Sequence, residues 1–403
     1  VLLTINISLF AQEKHLTVQV EVNPINSNYW WVENNMFGMK PTDLYAKSTW
    51  EIKKSKTMYL INIIGTFSKS GSKKLYLHES FIKHDFSQKT FIRAGKYYRD
   101  FSTYLNDDLS SGSMLISHNA QAMPKVGLVT SQKIKKFNKI TFDFGIASAI
   151  FDKNDHYNKA PQLHEKFIYM NYKKKNYQIS FGLVHEAMWG GSTIALGEQP
   201  DTFKDFIKVF LAADGEKVAG DSHANALGNH LGIWDLSFQK QNNNQKLKLY
   251  YQHIFEDTSG IRFANKFDGL WGVEFENYIP KTTLLFEYMD TTNCCIDPPY
   301  VDDQYYDNYQ YTLGWSYKNY TLGNPFISRL PFIPTKVFHV GASSQFQSID
   351  YQIKASRRID VEDKIKYKIN IIKKINARDR INIFIVNDAQ DKNGMGIGIS
   401  RFL

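Results

Sequence analysis

The chain of 403 residues carries a formal net charge of +9, is 15% aromatic with 28 Phe and 24 Tyr, and has a mean hydropathy of -0.40. With no long apolar run, it cannot be a helical membrane protein, which needs about 20 consecutive apolar residues per span. The charge is sorted by position. Lys53, Lys54 and Lys56, Lys133, Lys135, Lys136 and Lys139, Lys173 to Lys175, and Lys240, Lys246 and Lys248 flank short turns, while Asp107, Asp108, Asp201, Asp205, Asp214, Glu256, Asp257, Asp297, Asp302, Asp303 and Asp307 fall in long loops. That sorting leaves no single basic working face and excludes nucleic acid as a partner.

Val1–Ala11 (VLLTINISLFA) is nearly uncharged and too short to span as a helix, so it reads as the end of a secretory signal, with a first β-strand as the alternative. Residues 12–56 follow as an N-terminal periplasmic or plug segment, in which Asn28–Lys47 carries the paired Trp30 and Trp31. Within it, 45–54 is a further candidate strand.

From 57 to 403 the apolar residues recur with period two, as in a strand with one apolar side. The pattern predicts about eighteen strands, near 57–67, 73–83, 88–97, 126–137, 139–151, 165–174, 176–186, 230–240, 246–256, 268–279, 281–290, 309–318, 320–324, 336–346, 348–358, 365–375, 379–388 and 394–402. Tyr177, Ile179, Phe181 and Leu183 alternate clearly with Gln178, Ser180 and Gly182.

Connections alternate between short (84–87, 175, 241–245, 280, 376–378) and long (98–125, 152–164, 187–229, 257–267, 291–308, 325–335). In the long loop 187–229, Asp201–Ala212 sets Phe203, Phe206, Ile207, Phe210 and Leu211 on one helical face, with Asp201 as N-cap. That helix, 201–212, is expected to pack on other loops or to plug the mouth. Cys294 and Cys295 are adjacent and lack metal-ligand spacing, leaving a vicinal disulfide or free thiols.

Strict short/long alternation predicts an all-β fold: a transmembrane antiparallel β-barrel with short periplasmic turns, long extracellular loops and small helical plug elements. Its location is the cell outer membrane, and its parity puts the C-terminus on the short-turn rim. A soluble propeller or sandwich would also have many short strands, but neither demands the alternation.

Four passages carry a family resemblance: Ser111–Lys125 (SGSMLISHNAQAMPK), His185–Gly191 (HEAMWGG), Gly220–Phe238 (GDSHANALGNHLGIWDLSF) and Tyr250–Phe275 (YYQHIFEDTSGIRFANKFDGLWGVEF). Together they resemble the capsule-assembly Wzi family of outer-membrane proteins, in its Bacteroidetes-type form. The resemblance implies a many-stranded barrel with a blocked lumen, acting as a surface lectin that holds exported capsular polysaccharide. It implies a binding protein, neither a pore nor an enzyme; no cofactor is expected.

Sugar recognition uses flat apolar faces for pyranose C–H surfaces, with carboxylates and amides for hydroxyls. Candidate ligand-binding residues are Tyr300, Asp302, Asp303, Tyr305, Tyr306, Trp189, His185, Arg262 and Trp271. Arg262 would meet a uronic-acid carboxylate in bidentate geometry, while Trp271, on a strand, reads as an aromatic of the girdle or wall ahead of a ligand platform. The expected partners are the polysaccharide and outer-membrane lipids, with the protein a monomer. A solute channel is the alternative. A glycan-active enzyme is less favoured, because His185–Glu186 lacks the second His of a helical zinc motif and no Gly-x-Ser-x-Gly elbow exists.

Overall fold

The computed structural model describes residues 13–22, 29–39, 44–68, 71–134, 136–194, 196–215, 226–296, 301–359, 364–388 and 392–402. Val1–Ala11 lies outside them.

One sheet of 19 strands dominates. Its members are β1 (Glu13–Val22), β2 (Leu44–Lys54), β3 (Thr57–Phe67), β4 (Lys73–Leu77), β5 (Ser80–Asp85), β6 (Thr90–Tyr97), β7 (Met123–Lys133), β8 (Ile140–Ile150), β9 (Gln162–Lys174) and β10 (Tyr177–Trp189). They continue as β11 (Asn229–Asn242), β12 (Gln245–Phe255), β13 (Gly269–Glu276), β14 (Thr282–Asp290), β15 (Lys336–Phe346), β16 (Ile349–Arg358), β17 (Lys366–Lys374), β18 (Asp379–Asp388) and β19 (Lys392–Phe402). Each pairs antiparallel with its neighbour in sequence, except that β4 and β5 both lie on β3 and share one position. β1 pairs with β2 on one side (Glu13↔Lys53) and with β19 on the other (Thr17↔Phe402).

The turns explain the register. Within the main sheet, four two-residue connections begin with a left-handed residue: Ser55 (φ 53), Lys175 (φ 34), Asn243 (φ 51) and Gln347 (φ 52). Such turns match the twist of the strands they join. All four lie on one rim, together with 86–89, 134–139, 277–281 and 375–378, whereas 98–122, 151–161, 190–228, 256–268 and 291–335 emerge at the other.

Two expectations about the strands need correction. β1 and β2 belong to the sheet, so Glu13–Val22 and Leu44–Lys54 are not part of a separate segment. The sequence EKHLTVQVEV alternates Leu16, Val18, Val20 and Val22 with polar residues, the same period-two code as the rest. Conversely, 309–318 and 320–324 form only a small ladder of Ser316–Tyr317 with Tyr320–Thr321, outside the main sheet. Of their alternating aromatics, Tyr311, Trp315 and Tyr317 are buried, while Tyr309 is exposed. Left-handed Gly314, Lys318 and Asn319 interrupt any longer ladder.

The sheet has two unlike faces. The outer one exposes large apolar side chains, among them Phe144, Ile146, Ile168, Met170, Ile179, Phe181, Leu249, Phe286, Phe338 and Val340. Tyr251, Trp271, Tyr288 and Phe338, cross-strand partners on β12 to β15, form one aromatic row on it. The inner face is covered by 98–122 and by much of 303–335, whose Phe101, Leu109, Met114, Tyr306, Trp315 and Ile327 share one core with wall residues such as Val184, Ile254 and Leu285. The short helix α1 (Trp30–Glu33) joins this inner fill: Trp31 donates to Lys366 O at 3.0 Å and Asn35 to Ser111 O at 2.8 Å. Among the described residues, no helix is long and apolar enough to cross a membrane.

The predicted helix exists as α2 (Phe203–Leu211), and its cap differs. Thr202 Oγ1 accepts from Asp205 N, and the Asp205 carboxylate accepts from Thr202 N at 3.0 Å, a reciprocal box. Asp201 pairs with Lys159 instead.

Candidate functional site

The inner fill is bonded to the wall through a device used twice. On β9 to β11, Tyr169, Gly182 and Asp235 stand in one cross-strand row; on β12 to β14, Tyr250, Gly272 and Glu287 do the same. In each row the tyrosine lies across the glycine and donates to the acid two strands away. A Cβ would sit 2.2 Å from the Tyr169 ring at Gly182 and 2.0 Å from the Tyr250 ring at Gly272, so the reach requires glycine.

Each acid then receives the segment 98–122. Asp235 accepts from Ser102 Oγ at 2.5 Å and from Tyr104 OH. Glu287 accepts from Ser110 Oγ at 2.6 Å and from Ser111 N at 2.7 Å. Gln252 binds both Met114 N and Ser102 Oγ at 3.0 Å, and the His339 ring N–H donates to Leu109 O at 2.6 Å. Lys125, ion-paired with Glu165 at 2.9 Å, donates to Tyr98 O. Buried charges held by several donors are stable where they are and costly to strip. The segment is a fixed part of the interior.

The residues expected to meet ligand fall into different places. Tyr305 and Tyr306 present no surface. Tyr305 OH donates to Asp268 at 2.7 Å and accepts from Asn265 at 3.0 Å; Tyr306 OH donates to Met114 O at 2.5 Å and accepts from Asn324 N at 2.8 Å. They pin the 291–335 connection onto 256–268 and onto the inner fill. Asp303 is buried beside them, its N–H on Cys294 O. Asp302 has its backbone in a small ladder with Cys295, and Tyr300 lies outside the described residues. Asp221, His223 and Asn225 of the GDSHANALGNH passage do too.

His185 and Trp189 lie on the outer face of β10, both nearly buried. The His185 ring is 2.8 Å from the His230 ring, and Trp189 packs at 5.4 Å on Phe206 of α2. Trp271 stacks at 3.8 Å on Tyr251 within the aromatic row. Arg262, after the short helix α3 (Thr258–Ile261), is exposed, and its Nε donates to Thr258 O at 3.1 Å. Cys294 and Cys295 are free thiols with sulfurs 2.7 Å apart.

At the long-loop rim Arg262 is exposed, and so is Tyr309, 64% exposed, the last tyrosine of the Tyr300–Tyr309 cluster that the sequence offers as a ligand-facing surface. Its signal was its position in the aromatic run, diluted by equally aromatic neighbours that turn inward. Asp268 sits behind this surface, and burial pushes its carboxyl up to about 6, against the opposing bonds from Tyr305 and Asn293. No group of three or more His, Cys, Asp or Glu able to hold a metal occurs among the described residues.

No curated protein matches the sequence. Among solved structures, the chain is similar to the Escherichia coli outer-membrane protein Wzi, described as involved in group 1 capsule assembly and as a carbohydrate-binding β-barrel. That likeness has a TM-score of 0.65 and 12% identity over 97% of this chain and 85% of that one. A porin of Rh. blastica, in a mutant form, matches at a TM-score of 0.43 and 8% identity, over 97% and 100%. The family of capsule assembly protein Wzi matches residues 28–350. The chain, with its many-stranded antiparallel sheet and filled inner face, belongs to that family.

Proposed function

We propose that the sheet closes into an outer-membrane β-barrel whose long-loop rim binds exported capsular polysaccharide and holds it at the cell surface. Closure is supported by β1, which has ladder partners on both edges and so leaves no open edge to bury in lipid. The membrane is supported by the apolar outer face and by the Tyr251, Trp271, Tyr288 and Phe338 row, an arrangement suited to an interfacial girdle.

The observation that carries binding over conduction is the interior itself. The space a channel would need is occupied by 98–122, held by Asp235, Gln252, Glu287 and His339. A relative of the same fold is described as carbohydrate binding. At the rim, Tyr309 offers a ring face and Arg262 a guanidinium for uronic-acid carboxylates.

The test is a strain lacking the protein, in which cell-bound and shed polysaccharide are compared. Polymer made in normal amount but recovered in the medium is the expected result. Unchanged retention, together with a fall in uptake of some solute, would overturn the proposal in favour of a channel.

A further inference from the structure

α2 carries more apolar surface than the sheet beneath it covers. Cross-strand partners share a face, so Ile168, Leu183 and Trp234 form one outer row on β9, β10 and β11. Lys166, His185 and Gly232 form the next row toward the long-loop rim, and His164, Ala187 and His230 the one after.

α2 lies over these last two rows, outside the wall. Phe206 and Phe210 each pack at 5.3 Å on His164, Val209 is buried with Ala187 and Trp189, and Lys166 donates to Phe210 O. The helix therefore neither plugs a mouth nor touches the inner fill. It begins one row above the exposed apolar band of Ile168, Met170, Ile179 and Phe181.

Its other side is open. Phe203, Ile207 and Leu211, spaced i, i+4 and i+8, are 78%, 42% and 66% exposed, and Ile194 and Leu196 of the same connection are 63% and 51% exposed. Lys204 and Lys208 flank that stripe. Apolar residues on one face with lysines at its border are the pattern of a helix lying in a membrane interface.

We infer that α2 is an interfacial anchor, lying along the outer leaflet with Phe203, Ile207 and Leu211 in lipid and Lys204 and Lys208 at anionic headgroups. Lipid is the occupant because the stripe continues the apolar outer face of the strands it rests on, and because its lysines complement negative headgroups. The inference rests on the membrane-barrel reading and extends it to a loop element.

The test uses the full chain in lipid bilayers, with Cys294 and Cys295 replaced by serine and a fluorophore placed through Phe203→Cys, Ile179→Cys or Lys153→Cys. Spin-labelled lipid is the quencher. The expected result is loss of emission at 203 comparable to that at 179, with 153, an exposed loop position, unaffected. Loss at 179 without loss at 203 overturns the anchor while the barrel stands. Loss at neither overturns the barrel reading and the anchor with it. Quenching at 203 only on adding a second labelled copy of the chain makes the face a contact between copies and overturns the lipid assignment.

Discussion

Among single residues, Tyr305, Tyr306 and Tyr309 show how one aromatic run serves two purposes. The first two end on buried acceptors, and the third faces solvent. Tyr305→Phe is expected to cost about 1–3 kcal/mol by leaving Asp268 short of a donor, seen as a lower unfolding midpoint, with polysaccharide retention unchanged in the folded fraction. Tyr309→Ala is expected to do the reverse, lowering retention while heat-modifiable migration on gels stays intact. If Tyr309→Ala retains polymer normally, that side chain is outside the binding surface. Asp268 adds a pH dependence. Its carboxyl is raised from 3.8 to about 6 by burial, so the protonated form favours the fold. That contribution is complete below 3.8 and is lost as the pH rises through 6. Protease cleavage within 256–268 is expected to quicken between pH 4 and about 6.5, and Asp268→Asn is expected to flatten the change. An unaltered slope in that variant assigns the dependence to another group.

At the level of elements, the inner fill and the wall are one hydrogen-bonded body, and the Tyr–Gly–acid rows are its fasteners. Replacing both Asp235 and Glu287 with alanine strands the hydroxyls of Ser102, Tyr104, Tyr169, Ser110 and Tyr250, while the backbone ladders of the wall keep all their partners. The double variant is expected to show single-channel openings in planar bilayers where the intact protein is silent; silence in both would show that apolar packing alone holds the fill. This device was not legible in the sequence. Tyr169, Gly182 and Asp235 are far apart along the chain, and their meeting depends on register. The short turns, by contrast, were legible because polar pairs such as Asn243–Asn244 fix their strands locally. β1 was missed because His15, Gln19 and Glu21 interleave with only short aliphatics, and a leader was expected just ahead of it. The segment 309–318 was misassigned because period two marks alternate burial, whether the buried side meets a core or lipid. α2 was legible as a helix from its periodicity; its seat on the outside was not, since nothing local tells which face of β10 it meets.

For the whole molecule, the distribution of function follows from the two rims. One is made of short turns, several of them opened by a left-handed residue, and has little chain to spare. The other gathers 98–122, 190–228, 256–268 and 291–335, which supply respectively the inner fill, the outer helix, the Arg262 surface and the Tyr309 surface. All three exposed features hang on strands that the fill also braces, so a rigid interior gives them fixed relative positions. The pairing of β1 with β19 has a further consequence for handling the protein. Glu13 opens β1 at the short-turn rim, and Phe402 closes β19 beside Thr17 at that same rim. Both outermost strands of the described sheet therefore end on the rim away from the long loops. A fusion or affinity handle joined at either of these two positions leaves the opposite, long-loop rim unobstructed.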